Sequence, residues 1–212
     1  MPVITIRGQY GTWAAEIGEM IAQELNIDYV DREIIAGVAE RLRQPKTSIE
    51  EKETPPLTLM GRLSEAMART APLGDNIYAG IYSPLWEIPL DDKNYLSGLE
   101  CVIRELAESQ SVVIRGRGSQ FILKDFPGAF HVLIVAPMEV RVERIMERLK
   151  ICEEDARKKM ARFDDGNREF VKRYFRADIA DPVHYDIVVN TSRISVERAT
   201  EAILAAVDLA DD

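Results

Sequence analysis

Between Gly8 and Ala15 the chain reads GQYGTWAA, a glycine-bearing turn set between an apolar run at Val3–Ile6 and apolar residues at helix spacing, Ile17, Met20, Ile21 and Leu25. Such a turn gathers backbone N–H groups and the positive end of a helix at one point, which suits an anionic phosphate. Counted from Gly8 against the phosphate-loop pattern G-x-x-x-x-G-K-[ST], the positions for the second glycine, the lysine and the hydroxyl hold Trp13, Ala14 and Ala15. The turn is present without the lysine that would reach the β- and γ-phosphates. Gly8 and Gly11 shape it, Arg7 precedes it as a cation that could replace the lysine, and Thr12 offers a hydroxyl displaced by three positions from the expected metal ligand. Trp13 either presents its indole to a base or partner, or packs against the edge of a sheet.

Three further stretches carry charge where chemistry could use it. VVIRGRG at 112–118 runs an apolar strand into Arg115 and Arg117, separated by glycine. Ligands of open parallel sheets sit outside the carboxyl ends of strands, where a guanidinium can fork onto a phosphate; the alternative is pairing with nearby acids. YVDRE at 29–33 brings Asp31, Arg32 and Glu33 to the end of another strand, as substrate contacts or as a helix N-cap with its first turn. RFDDGNREFVKRYF at 162–175 interleaves Arg162, Arg168, Lys172 and Arg173 with Asp164 and Asp165. Charge developing in phosphoryl transfer must be neutralised by held cations, so this segment reads as a mobile lid over 160–178 or as a solvated, salt-bridged helix face. RVERIMERLK at 141–150 is basic too, and its spacing reads mostly as helix surface.

The elements that must position these residues follow from hydrophobic periodicity. Short apolar strands are expected at 3–6, 27–31, 111–116, 130–136 and 185–190, with helices from Ala14, from Arg32 to about Leu42, over Met138–Lys150, from Glu153 to about Arg162 and over Ser195–Leu209. Continuous apolar strands alternating with amphipathic helices imply a parallel sheet covered on both faces. The expected fold class is α/β, a three-layer α/β/α domain around a five-stranded parallel sheet. Residues 44–98 break the rhythm: the stretch 44–60 carries three of the ten prolines, so 44–98 reads as an insertion, a substrate cap or a dimer contact.

At 212 residues the chain can bury one substantial core. A net charge of −9 argues against a nucleic-acid partner, since phosphate backbones are held by basic surfaces. No leader and no run of 18 apolar residues is present, so no membrane partner and a cytoplasmic location are expected. Cys101, Cys152, His131 and His184 lack metal-ligand spacing and are read as structural.

The order of these features along the chain resembles that of nucleoside monophosphate kinases, and specifically the cytidylate kinase-like family. ITIRGQYGTWAAEIGEMIAQELNIDYVDREII looks like that family's opening, VVIRGRGSQFIL its middle motif and YDIVVNTSRIS its closing strand and turn. The resemblance implies a P-loop kinase-like fold, ATP and Mg2+ as cofactors, and transfer of the γ-phosphoryl group to a nucleoside monophosphate such as CMP. It implies that Gly8–Ala15 cradles ATP phosphates, with Arg7 beside them, and that Asp31 and Arg32 approach the monophosphate. Arg117 would hold the substrate phosphate, Asp165 and Arg168 would contact both substrates, and Arg162 and Arg173 would close the lid. Ala14, Ala15 and Arg115, which stands where family kinases carry an acid before the Gly-Arg pair, depart from the pattern; a non-catalytic nucleotide or anion sensor is the rival reading.

Overall fold

The structure is a computed structural model that describes residues 2–31, 34, 37, 41 and 92–210. Arg32 and residues 44–91 of the expected insertion lie outside the described residues. Along the chain come β1 (Val3–Gly8), α1 (Ala14–Leu25), β2 (Asp28–Val30), α2 (Asp92–Ser109), β3 (Val112–Arg115) and α3 (Ser119–Ile122). β4 (Ala129–Val135), α4 (Met138–Leu149), α5 (Glu153–Phe175), a 3-10 turn at Pro182–His184, β5 (Ile187–Asn190) and α6 (Val196–Ala210) complete it.

The five strands form one sheet in the order β2-β3-β1-β4-β5, and every pairing is parallel. β1 is central and buried along its whole length, because helices cover it on both sides. Ile4 and Ile6 pack with Ile17 and Ile21 of α1 and Ile203 of α6. Val3 belongs to the opposite cluster, with Tyr95, Leu99 and Ile103 of α2 and Phe170 of α5. Side chains alternate across a strand, so Arg7 leaves β1 on the Val3 face, toward α5.

Two boundaries differ from the sequence reading, each for a physical reason. α2 begins at Asp92, inside the stretch read as insertion. Tyr95, Leu99 and Ile103 recur every four residues and are fully buried, each worth about 1.5–3 kcal/mol of burial, and that stripe carries the helix back to Asp92. α5 continues through Phe175 rather than stopping near Arg162, because Met160, Phe170 and Val171 keep one face on the core despite the charges between them. Among the described residues no helix is long and apolar enough to cross a membrane.

His131 is buried on β4. Its Nδ1 lies 2.8 Å from the Thr5 hydroxyl, its register partner on β1, and its backbone N–H donates to Asp186 at 2.7 Å. Burial pushes the imidazole pKa below its ordinary value, with Asp186 opposing. The folded state therefore binds the proton less readily than the unfolded chain, so this residue's contribution to stability is full above about pH 6.5 and is lost as pH falls toward the lowered folded value. Urea unfolding between about pH 7.5 and 5.5 should show a shallower pH dependence in His131→Gln than in the parent. An equal slope in the two proteins would remove His131 from the acid sensitivity.

Candidate functional site

The turn after β1 is held by its own main chain. Gln9 N–H donates to the Ile134 carbonyl of β4 at 3.4 Å, and Thr12 N–H donates to the Gln9 carbonyl at 3.3 Å. The Thr12 hydroxyl donates to that same carbonyl at 2.8 Å and the residue is fully buried, so its proton is committed to the turn. A Cβ on Gly8 would lie 2.2 Å from Cβ of Ala14, and one on Gly11, at φ +84, would lie 2.9 Å from the Arg141 carbonyl. Glycine is required at both places by close approach. Trp13, in the left-handed region at φ 65, caps α1, and Ala14 is buried in the first turn of that helix.

Among the described residues four arginines surround this turn. Arg7 is 8% exposed, one of its terminal nitrogens donates to the adjacent Gly8 carbonyl, and its Nε has no hydrogen-bond partner. Burial lowers its pKa to about 10, against the opposing pull of Tyr185 and Asp164; it stays cationic at neutral pH. The other three come from α4. Arg141 pairs with Asp164 of α5 at 2.5 Å and donates to the Tyr10 carbonyl at 3.2 Å. Arg144 reaches the Gly11 carbonyl at 3.3 Å and the Thr191 hydroxyl and carbonyl at 3.1 and 2.5 Å. Its guanidinium lies 3.4 Å from the centroid of the Trp13 ring, a cation–π contact. Arg148 stands over the Tyr10 ring and pairs with Glu16 at 3.2 Å. Gly11, Trp13, Arg144, Ile145, Glu147 and Arg148 line an open cleft of about 280 Å³ beside the turn.

The expected residues divide into those gathered at this turn and those set elsewhere. Arg7, Gly8, Gly11, Thr12, Trp13, Ala14 and Ala15 form one continuous structure. Asp31 and Arg115 follow paired residues of β2 and β3, and that parallel register brings them into an ion pair at 2.6 Å. Arg115 thus meets a nearby acid, one of the two readings its sequence allowed. Arg117 is half-buried beyond β3, in a run of three positive φ values, 76, 57 and 68, at Gly116, Arg117 and Gly118. On α5, Arg162, Arg168 and Arg173 are exposed, and Arg168 pairs with Asp165 at 2.5 Å on that outer face. Arg173 lies 5.4 Å from the Tyr174 ring. The acid that reaches the turn is Asp164, not its neighbour.

Arg141 and Arg144 were missed because RVERIMERLK read as helix surface. Their spacing carried the signal: positions 141, 144 and 148 share one helical face directly after β4, the strand beside β1. Magnesium fits the residues less well than phosphate does. Ala15 has no hydroxyl, Thr12 is fully buried, and among the described residues no group of three or more His, Cys, Asp or Glu could hold a metal.

Comparison with known proteins agrees with this architecture. Against cytidylate kinase from Pyrococcus horikoshii the chain is 34% identical over 107 residues, 50% of this chain and 55% of the relative. Against cytidylate kinase from Methanocaldococcus jannaschii it is 31% identical over 106 residues, 49% of this chain and 60% of the relative. The chain thus spans little more than half the length of the curated relatives it matches. A crystal structure of an uncharacterized protein from Eubacterium ventriosum superposes with a TM-score of 0.69 at 20% identity, over 98% of this chain and 99% of that one, and shows the same fold. The three-layer α/β/α fold around a five-stranded parallel sheet is P-loop kinase-like. Since the sequence pattern of the cytidylate kinase-like family matches residues 3–193, the chain belongs to that family, with a degenerate phosphate-loop motif.

Proposed function

We propose that this protein is a phosphotransferase that holds ATP phosphates at the Gly8–Ala15 turn and moves the γ-phosphoryl group to a nucleoside monophosphate such as CMP. One observation carries the reading. Arg7, at the carboxyl end of the central strand, is a buried cation with no carboxylate at ion-pair distance among the described residues. An uncompensated buried charge costs several kcal/mol, and a phosphate arriving at the adjacent turn would offset that cost.

In this reading Arg7 and the turn amides take the donor phosphates, while Arg117 and Arg32 hold the acceptor phosphate, with Asp31 beside it. Arg162, Arg168 and Arg173, with Asp165, act from the 160–178 segment as it closes over both substrates. Catalysis is by positioning and by fixed positive charge around the transferred group. The part of residues 44–98 that precedes α2 serves as a substrate cap or a homodimer contact, and the protein acts in the cytoplasm. No step is assigned to magnesium, because the residues at the turn do not supply its usual hydroxyl. A second reading, a non-catalytic nucleotide or anion sensor, is favoured by Ala14, which is buried where the lysine of a working loop would stand.

A panel of nucleoside monophosphates incubated with γ-labelled ATP and magnesium separates the two. Label in CMP or another monophosphate supports the phosphotransferase; ATP raising the melting temperature with no acceptor labelled supports the sensor; ATP neither binding nor reacting rejects both. Arg117→Ala should weaken binding of the labelled monophosphate by about tenfold or more, the loss of a charge-assisted contact, with ATP binding unchanged. Unchanged monophosphate affinity would take Arg117 out of the acceptor site.

A further inference from the structure

The N–H of Tyr10 belongs to the set of amides that would meet a donor phosphate, yet it already has an anionic partner. It donates to Asp164 Oδ1 at 3.0 Å, while Asp164 Oδ2 accepts from Arg141 at 2.5 Å. Arg141 also donates to the Tyr10 carbonyl, so one ion pair holds both main-chain polar groups of Tyr10. The pair is largely dry, with side chains 5% and 15% exposed. The residue before Asp164 docks at the same place: the Phe163 ring lies 5.0 Å from the Tyr10 ring and 5.8 Å from the Arg7 guanidinium. Two consecutive residues of α5 thus cover a turn flanked by two buried arginines.

A carboxylate that accepts a loop N–H on one oxygen and a guanidinium on the other does what a phosphate group does at such a loop. We propose that the Asp164 carboxylate is a built-in stand-in for a phosphate, and that the turn, Arg7 and Arg141 form a diphosphate site which a ligand enters only by displacing it. Two buried cations flanking one turn favour a diphosphate group over a single phosphate. This inference rests on the donor-site reading above and adds the group with which the donor competes.

Asp164→Asn tests it with inorganic pyrophosphate at fixed ionic strength. The amide still accepts from Tyr10 N–H but removes the negative charge, so Arg141 is left as an uncompensated cation. The variant should melt below the parent without ligand, recover with pyrophosphate, and bind it about tenfold more tightly than the parent or better. The double variant Arg141→Gln/Asp164→Asn, which lacks both charges, should lose that gain. Equal or weaker pyrophosphate binding by Asp164→Asn overturns the proposal. If that variant does not fold alone, pyrophosphate must restore its folding, and failure to do so also overturns it. Tighter pyrophosphate binding by Asp164→Asn with no acceptor ever labelled from ATP keeps this inference and rejects the phosphotransferase. Transfer to CMP by the parent, with pyrophosphate affinity indifferent to Asp164, does the reverse.

Discussion

Arg141→Ala should lower the free energy of unfolding by about 3 kcal/mol, toward the lower end of the range for breaking a buried ion pair. The truncation strands the Asp164 carboxylate, which is only 15% exposed, and removes a donor from the Tyr10 carbonyl. Residual contact of Asp164 with water sets the loss at that lower end rather than above it. For a chain of this size the melting temperature should fall by roughly 6–12 °C. Adding Asp164→Ala to Arg141→Ala should recover part of the loss, because no unpaired charge then remains. Urea unfolding of the two single variants and the double variant measures the coupling. A single-variant loss below about 1 kcal/mol would mean that the pair behaves like a surface salt bridge.

Gly118→Ala should be comparably damaging, by about 3–4 kcal/mol, from two independent causes. The residue sits at φ +68 and a Cβ there would lie 2.2 Å from the Phe175 ring. Left-handed backbone costs an L-residue roughly 1–2 kcal/mol, and forcing an atom into a packed contact costs about 1–3 kcal/mol more. Gly116 supplies the internal control: it has a similar φ of +76, but a Cβ there would meet nothing within 4 Å, so Gly116→Ala should lose only the roughly 1–2 kcal/mol of backbone strain. Arg117 lies between them, so Gly118→Ala should also weaken monophosphate binding where Gly116→Ala does so less. Equal thermal stability of the two variants would contradict the Phe175 contact.

Much of the fold was legible because period and composition act locally. The apolar runs at Val3–Ile6 and 130–136 needed no long-range information to be read as buried strands, and their burial on both faces implied a parallel sheet. α2 escaped because the prolines and charges upstream of Asp92 were read as one insertion, whereas Tyr95, Leu99 and Ile103 owe their helix to a core that exists only after folding. At the site, the glycine turn was legible because Gly8 and Gly11 answer to local crowding. The acid and the arginines that reach it were not. Asp164 and Asp165 are chemically identical neighbours, and only the rotation of α5 on the core turns one inward to Tyr10 and the other outward to Arg168. Arg141 likewise differs from a surface arginine only through β4 lying beside β1.

In the proposed function the Gly8–Trp13 turn receives nucleotide phosphates although it lacks the lysine. An amide-resolved NMR titration of the full chain with ATP and magnesium tests it most directly. The amides of Gly8, Gln9, Tyr10, Gly11 and Thr12 and the Arg7 guanidinium signals should shift together, along one binding curve. Shifts confined to other parts of the chain, with these resonances unmoved at saturation, would contradict it.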